Sequence, residues 1–155
     1  PQTGPAGAEG SYVCIVTNWN QLTTRVSDAT YDAWNAHDPA AVASWFAEGA
    51  RVRDSSSSEW EIGPGPVRDR AAMMCAALPD LTLTRQVLVI DGPRHADRWV
   101  MAGTHTGDLL GVAPTGALVR FEGATFTTID EDGMVTEDIH HVDYATLFAQ
   151  IGTSG

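Results

Sequence analysis

The chain has 155 residues, 43% hydrophobic and 19% charged, the composition of one globular domain with a buried core rather than of a disordered segment. Its formal net charge of −11 repels nucleic acid and anionic membrane surfaces at long range, and its nine Lys and Arg form no run; the balance says nothing about an uncharged small molecule. No apolar stretch reaches membrane length, Cys14 and Cys75 have neither metal nor disulfide spacing, and the cytoplasm is the default location.

Residues 1–22 read as a flexible arm: 1–10 are rich in Gly, Pro and Ala with no basic leader region, and Tyr12–Val16 makes at most a short strand. From Thr23 the pattern turns helical. Val26, Ala29, Thr30, Ala33, Trp34 and His37 fall at helix spacing and predict an amphipathic helix over 23–37. Asp38-Pro39 restarts the chain, Asp38 as N-cap and Pro39 at the first helical position. The second helix then spans Ala40–Ala47 and carries Val42, Trp45 and Phe46. Arg51-Val52-Arg53 is a short strand and Ser55–Ser58 a loop. Pro66 opens a third helix that runs to Leu78 and stops at Pro79-Asp80.

The remainder is β. Leu81–Ile90 and Arg98–Thr106 alternate as strands around an Asp91-Gly92 turn, and Leu118–Ile129 pairs with Met134–Val142 across Asp130–Gly133. Tyr144–Phe148 adds about one helical turn, capped by Asp143. Helices segregated onto one face of an antiparallel sheet make an α+β fold, with about three N-terminal helices packed against the sheet.

The stretch from Gly103-Thr104-His105-Thr106-Gly107 to Gly111-Val112-Ala113-Pro114-Thr115-Gly116 closely resembles a block of the SnoaL-like polyketide cyclases, also called ester cyclases. Asp132-Gly133 through Asp143-Tyr144, followed by Leu147, Gln150 and Gly152, is similar to that family's final strand and tail, and Trp34–Asp38 to its first helix-to-helix step. The resemblance covers 23–152. It implies a cone of the ketosteroid-isomerase kind, a strongly curved antiparallel sheet with helices closing one end around an apolar ring system. It also implies ring closure by intramolecular aldol condensation with no metal and no cofactor, and a homodimer built through the outer face of the sheet.

In these cyclases an Asp on the final strand acts as base, just after a His-Trp pair, with a His on the neighbouring strand. Aligned from Asp132-Gly133, the base position is His140, the His-Trp pair is Asp138-Ile139, and the neighbouring His falls near Thr125. An imidazole suits proton abstraction next to a carbonyl, because its ordinary pKa lies near neutral pH. His140 and Asp138 are therefore the catalytic candidates, although His140-His141 also reads as a half-exposed strand pair. Alternation puts Thr136, Asp138 and His140 on one face, with Asp138 roughly 7 Å from His140 along the strand. That span is too long for a direct hydrogen bond unless rotamers are favourable, and otherwise needs a bridging water. The same alternation rules out a shared metal for His140 and His141.

Trp99 and Met101 share a strand face and either wall a substrate pocket or fill the core. Tyr31, Trp45 and Trp60 carry the same two readings, and Arg53 beside Asp54 either borders the cavity mouth or makes a surface ion pair. His105 either holds the loop that follows it or contacts substrate. The leading function is a cofactor-independent cyclase or isomerase acting on a polyketide-like or other polycyclic intermediate. Two alternatives stand beside it: a diverged member doing cofactor-free hydroxylation, epoxide or pyran-ring chemistry, and a non-catalytic small-molecule binding protein.

Overall fold

Four helices and six strands occupy residues 17–152, the part of the chain that the computed structural model describes; Cys14 and the expected strand at Tyr12–Val16 lie outside it. Helix α1 spans Trp19–Asn35 and starts at Asn18, whose side chain accepts from the Gln21 amide at 3.2 Å. Residues 19–22, expected at the end of a flexible arm over 1–22, form the first turn of α1 instead. The helix also stops two residues early, because His37 takes the left-handed conformation (φ 54°) and its Nε2 contacts Leu81 O at 2.7 Å.

Helix α2 is only Pro39–Ala43, with Asp38 as the expected N-cap, accepting from the Ala41 amide. The helix predicted to continue to Ala47 gives way to strand β1, Phe46–Asp54, which buries Phe46, Ala50, Val52 and Asp54. Tertiary pairing overrides local pattern here, since β1 runs parallel to β6 (Val135–Val142). Strand β2 (Glu61–Ile62) had no sequence signal. Helix α3 covers Pro64–Ala77, followed by β3 (Thr82–Asp91), β4 (Arg94–Thr104), β5 (Leu118–Ile129) and, after β6, helix α4 (Tyr144–Gln150) capped by Asp143. Strand β4 starts at Arg94, four residues before the expected start, because the turn from β3 is just Gly92-Pro93 with Gly92 in the left-handed region.

The sheet order is β2-β1-β6-β5-β4-β3, and the β1–β6 pair makes it mixed rather than all antiparallel. It is curved and unclosed, an α+β fold of the cone type. One hydrophobic cluster joins α3, β3, β4, β5 and α4 around Leu78, Leu81, Trp99 and Phe121. A second joins α1, α2, β1 and α3 around Val26, Val42, Val52 and Ala71. At Gly107 the chain passes so close to the end of α3 that a Cβ would sit 2.2 Å from Ala76 O; the Thr106 and Gly107 amides both donate to Ala77 O there.

Candidate active site

Between the concave face of the sheet and the helices lies a cavity of about 210 Å³, walled mainly by apolar side chains. From α1 it receives Ser27, Thr30, Tyr31 and Trp34, and from α3 Val67, Arg70, Met73 and Met74, each set at helical spacing. Alternation supplies the sheet side: His95, Asp97, Trp99 and Met101 from β4, Phe121, Thr125 and Thr127 from β5, and Asp138, His140 and Val142 from β6.

Strand register turns these residues into two straight rows. Asp97 pairs with Thr125, Thr125 with His140, and His140 with Asp54, so one row crosses β4, β5, β6 and β1. The adjacent row is His95, Thr127, Asp138 and Val52. Thr136 does not share this face: a register shift opposite Thr128 and Ile129 turns Val135 inward instead and sends Thr136 to the outer side. The parity expected from Asp138 and His140 thus fails at the bulge.

His140 and Asp138 do meet directly. Nδ1 of His140 lies 3.1 Å from Oδ2 of Asp138, and Oδ1 of Asp138 accepts from Thr127 Oγ1 at 2.7 Å. The other ring nitrogen, Nε2, lies 2.8 Å from Nη1 of Arg70. A guanidinium can only donate, so Nε2 carries the lone pair and Nδ1 the proton that Asp138 accepts. Arg70 is itself paired with Glu61. These contacts fix the tautomer.

A carboxylate stands at each end of the first row, and a Tyr hydroxyl donates to each. Tyr144 donates to Asp54 Oδ2 at 2.6 Å, while the amide and hydroxyl of Ser56 donate to its Oδ1 at 2.8 and 2.7 Å. Burial alone would raise the Asp54 pKa, but these hydrogen bonds outweigh it and hold the carboxyl below its usual range. Tyr31 donates to Asp97 Oδ2, and Asp97 Oδ1 is buried with no partner among the described residues. Burial pushes Asp97 up to about 6, against the opposing hydrogen bond from Tyr31. Both Tyr hydroxyls are pushed upward, by burial first and then by their carboxylate partners. His95, whose Nδ1 is also buried and unpartnered among the described residues, is pushed down by burial.

Of the substrate-binding candidates, Tyr31, Trp99, Met101 and Thr125 line the cavity. Thr125, at the position where the resemblance puts a His, accepts from Trp99 Nε1 at 2.9 Å. Trp45, Arg53, Trp60 and His105 do not line it. Trp45 packs at the edge of the second core cluster, where its carbonyl receives the Val135 amide. Arg53 faces away from the cavity, and Trp60 stacks on the guanidinium groups of Arg51 and Arg53 at 4.1 and 5.0 Å. His105 is fully buried and holds the 105–117 loop through Thr115 Oγ1, Ala117 O and the Gly116 amide.

Four titratable residues of the cavity escaped the sequence reading, Asp97, His95, Arg70 and Tyr144, while Asp54 was read only as bordering its mouth or in a surface ion pair. Starting β4 at Arg98 cut His95 and Asp97 from the alternation that had found Trp99 and Met101. Asp54 follows Val52 at strand period, and Arg70 lies three residues after Val67 on the inner face of α3. Those periodicities were the available signals.

The model of the SnoaL-like polyketide cyclase family matches residues 24–151. Among solved structures, AclR of Streptomyces galilaeus, a candidate hydroxylase, superimposes with a TM-score of 0.79 at 20% identity, covering 89% of this chain and all of that one (100%). IdmH of Streptomyces antibioticus, a candidate polyketide cyclase, gives 0.66 at 26% identity over 84% of this chain and 98% of its own. TsrD of Streptomyces laurentii gives 0.75 at 21% identity over 85% and 96%. None of the curated proteins matches the chain.

Proposed function

The chain belongs to the SnoaL-like polyketide cyclase family, and we propose from that premise that it is a cyclase or isomerase working by acid–base chemistry on a polyketide-like or other polycyclic intermediate. One observation carries the reading: a tautomer-fixed imidazole, His140, stands in an apolar cavity with Asp138 behind it. Asp138 holds the Nδ1 proton, so the basic atom is Nε2, on the side of Arg70. A substrate oxygen that accepts from the guanidinium draws it off Nε2 and frees that lone pair for a proton on the adjacent carbon. The enolate oxygen formed in this step keeps the charge-assisted hydrogen bond from Arg70, which is stronger there than on the neutral carbonyl. The apolar walls, with Trp34, Trp99, Phe121 and Met101, suit a ring system and exclude the water that would compete for the enolate.

A second reading is a binding protein without turnover, and it is favoured by the same Arg70 contact, which occupies the only lone pair of the imidazole. Replacing His140 by Ala separates the two. Isothermal titration with a tricyclic polyketide phenol and turnover of a polyketone substrate are measured on both proteins. Turnover lost by about a hundredfold or more with affinity retained supports the enzyme. A change in affinity alone, with no turnover in the native protein, supports the binder.

A further inference from the structure

We propose that Asp97, held by Tyr31, is a second proton-transfer group of this cavity: the acid that protonates a substrate carbonyl oxygen while His140 takes the carbon-bound proton. The inference rests on the acid–base reading given above and assigns the other half of the chemistry.

Placement is the first support. Asp97 and His140 lie in one cross-strand row with Thr125 between them, so their backbones are two strand spacings apart, about 10 Å. Side chains reaching inward from those positions leave room between them for the two reacting ends of one folded substrate. The second support is the contrast between the carboxylates that end the row. Each oxygen of Asp54 has a donor, Tyr144 on Oδ2 and Ser56 on Oδ1, so neither is left bare. Asp97 has Tyr31 on Oδ2 and, among the described residues, nothing on Oδ1. A buried oxygen without a donor is costly as a carboxylate; as the protonated form it carries an O–H that requires an acceptor. A substrate carbonyl is such an acceptor.

The groups facing Asp97 act together. Burial raises its pKa most, the Tyr31 hydroxyl from α1 opposes, the charge of Asp138 on β6 adds to the rise, and Arg85 of β3 opposes again. Arg85 lies over the Tyr31 ring at 5.2 Å and is paired with Asp28 of α1, while His95 precedes Asp97 on the same face of β4. The result, about 6, leaves a usable protonated fraction near neutral pH, whereas Asp54 stays ionised.

The ring closure balances as follows. His140 Nε2 takes a proton from the carbon next to one carbonyl, and the C–H electron pair becomes the enolate. The enolate carbon attacks the second carbonyl, a C–C bond forms, and the π pair of that carbonyl moves to its oxygen. The Asp97 O–H proton goes to this oxygen. Asp97 leaves as carboxylate and His140 as imidazolium, and solvent restores both. The substrate of this step is the dicarbonyl compound of the aldol closure that the family resemblance implies, and its product a cyclic β-hydroxy ketone.

The test uses the triketone 2-methyl-2-(3-oxobutyl)cyclohexane-1,3-dione, whose aldol closure gives a bicyclic ketol separable by chromatography. Asp97→Asn keeps the acceptor for Tyr31 and is expected to lower kcat by about tenfold or more, with KM changed by less than about threefold. In the native protein the rate falls as pH rises through about 6. That fall is absent in Asp97→Asn and moves to higher pH in Tyr31→Phe, because the lost hydrogen bond no longer lowers the Asp97 pKa. A purely structural role leaves the pH profile where it was. Full rate and an unchanged profile in Asp97→Asn overturn the inference, and an inactive His140→Ala beside them leaves the acid–base reading standing. An inactive Asp97→Asn with an active His140→Ala upholds Asp97 and removes His140. No closure by the native protein, relative to buffer, overturns both.

Discussion

The indole of Trp99 lies across the backbone of its cross-strand partner Gly123, so closely that a Cβ at 123 would sit 2.2 Å from the ring and 2.7 Å from His141 O. Only glycine lets the indole reach Thr125 and stand edge-on to Phe121 at 6.2 Å. Gly123→Ala should destabilise the fold by about 1–3 kcal/mol through overpacking and displace the indole from Thr125. Urea unfolding followed by tryptophan fluorescence measures both effects. An unchanged midpoint and spectrum would count against the contact.

The Arg70 contact makes a direct spectroscopic claim about His140. Nitrogen-15 NMR at neutral pH should show its Nδ1 protonated and its Nε2 bare, and Arg70→Met should let the Nε2–H tautomer appear. Observing Nε2–H in the native protein would contradict the geometry.

Asp97 should cost stability wherever it is ionised. An unfolded Asp titrates near 3.8, while Asp97 in the folded protein titrates at about 6. The native state thus binds its proton more tightly, and the stability this supplies is complete below the unfolded value and lost as pH rises through about 6. Asp97→Asn should be more stable than the native protein at pH 8 by about 1–3 kcal/mol, and equal to it near pH 3. Thermal melts at the two pH values decide it. Equal melting at pH 8 would mean that the carboxylate is better solvated than its burial implies.

Asp54 has the opposite sign. Burial raises its pKa, but the hydrogen bonds from Tyr144 and Ser56 lower it more, so the folded carboxyl ionises below the unfolded value. Its contribution is present above about pH 4 and is lost as pH falls through the lower folded value. Tyr144→Phe should destabilise the protein by about 1–2 kcal/mol at pH 7, with the deficit shrinking in acid. A deficit independent of pH would assign the effect to packing alone.

On the outer face of the sheet Val89, Ala96, Phe126 and Ile139 are successive cross-strand partners, with Val89 60% and Phe126 52% exposed. The homodimer that the family resemblance implies would cover this row. Light scattering should give twice the 16.5 kDa chain mass, and Phe126→Asp should halve it. A monomeric native protein would end the proposal.

Much of this was written in the sequence, because it depends on local pattern. Period-two alternation located β3, β5, β6 and the later part of β4 and put Trp99 and Met101 on one face, and the motifs around Gly103 and Asp132 fixed the family and singled out His140 and Asp138. Asp38 and Asp143 were recognisable as caps because a cap needs only its own next turn. Tertiary structure alone decided the rest. The parallel docking of β1 on β6 turned an expected helix into a strand, a bulge expelled Thr136, and register aligned Asp97, Thr125, His140 and Asp54 in one row. Which lone pair a ring or a carboxylate keeps free depends on partners tens of residues away, such as Arg70 for His140 and Tyr31 for Asp97, and hydrogen bonding over that separation leaves no trace in local spacing.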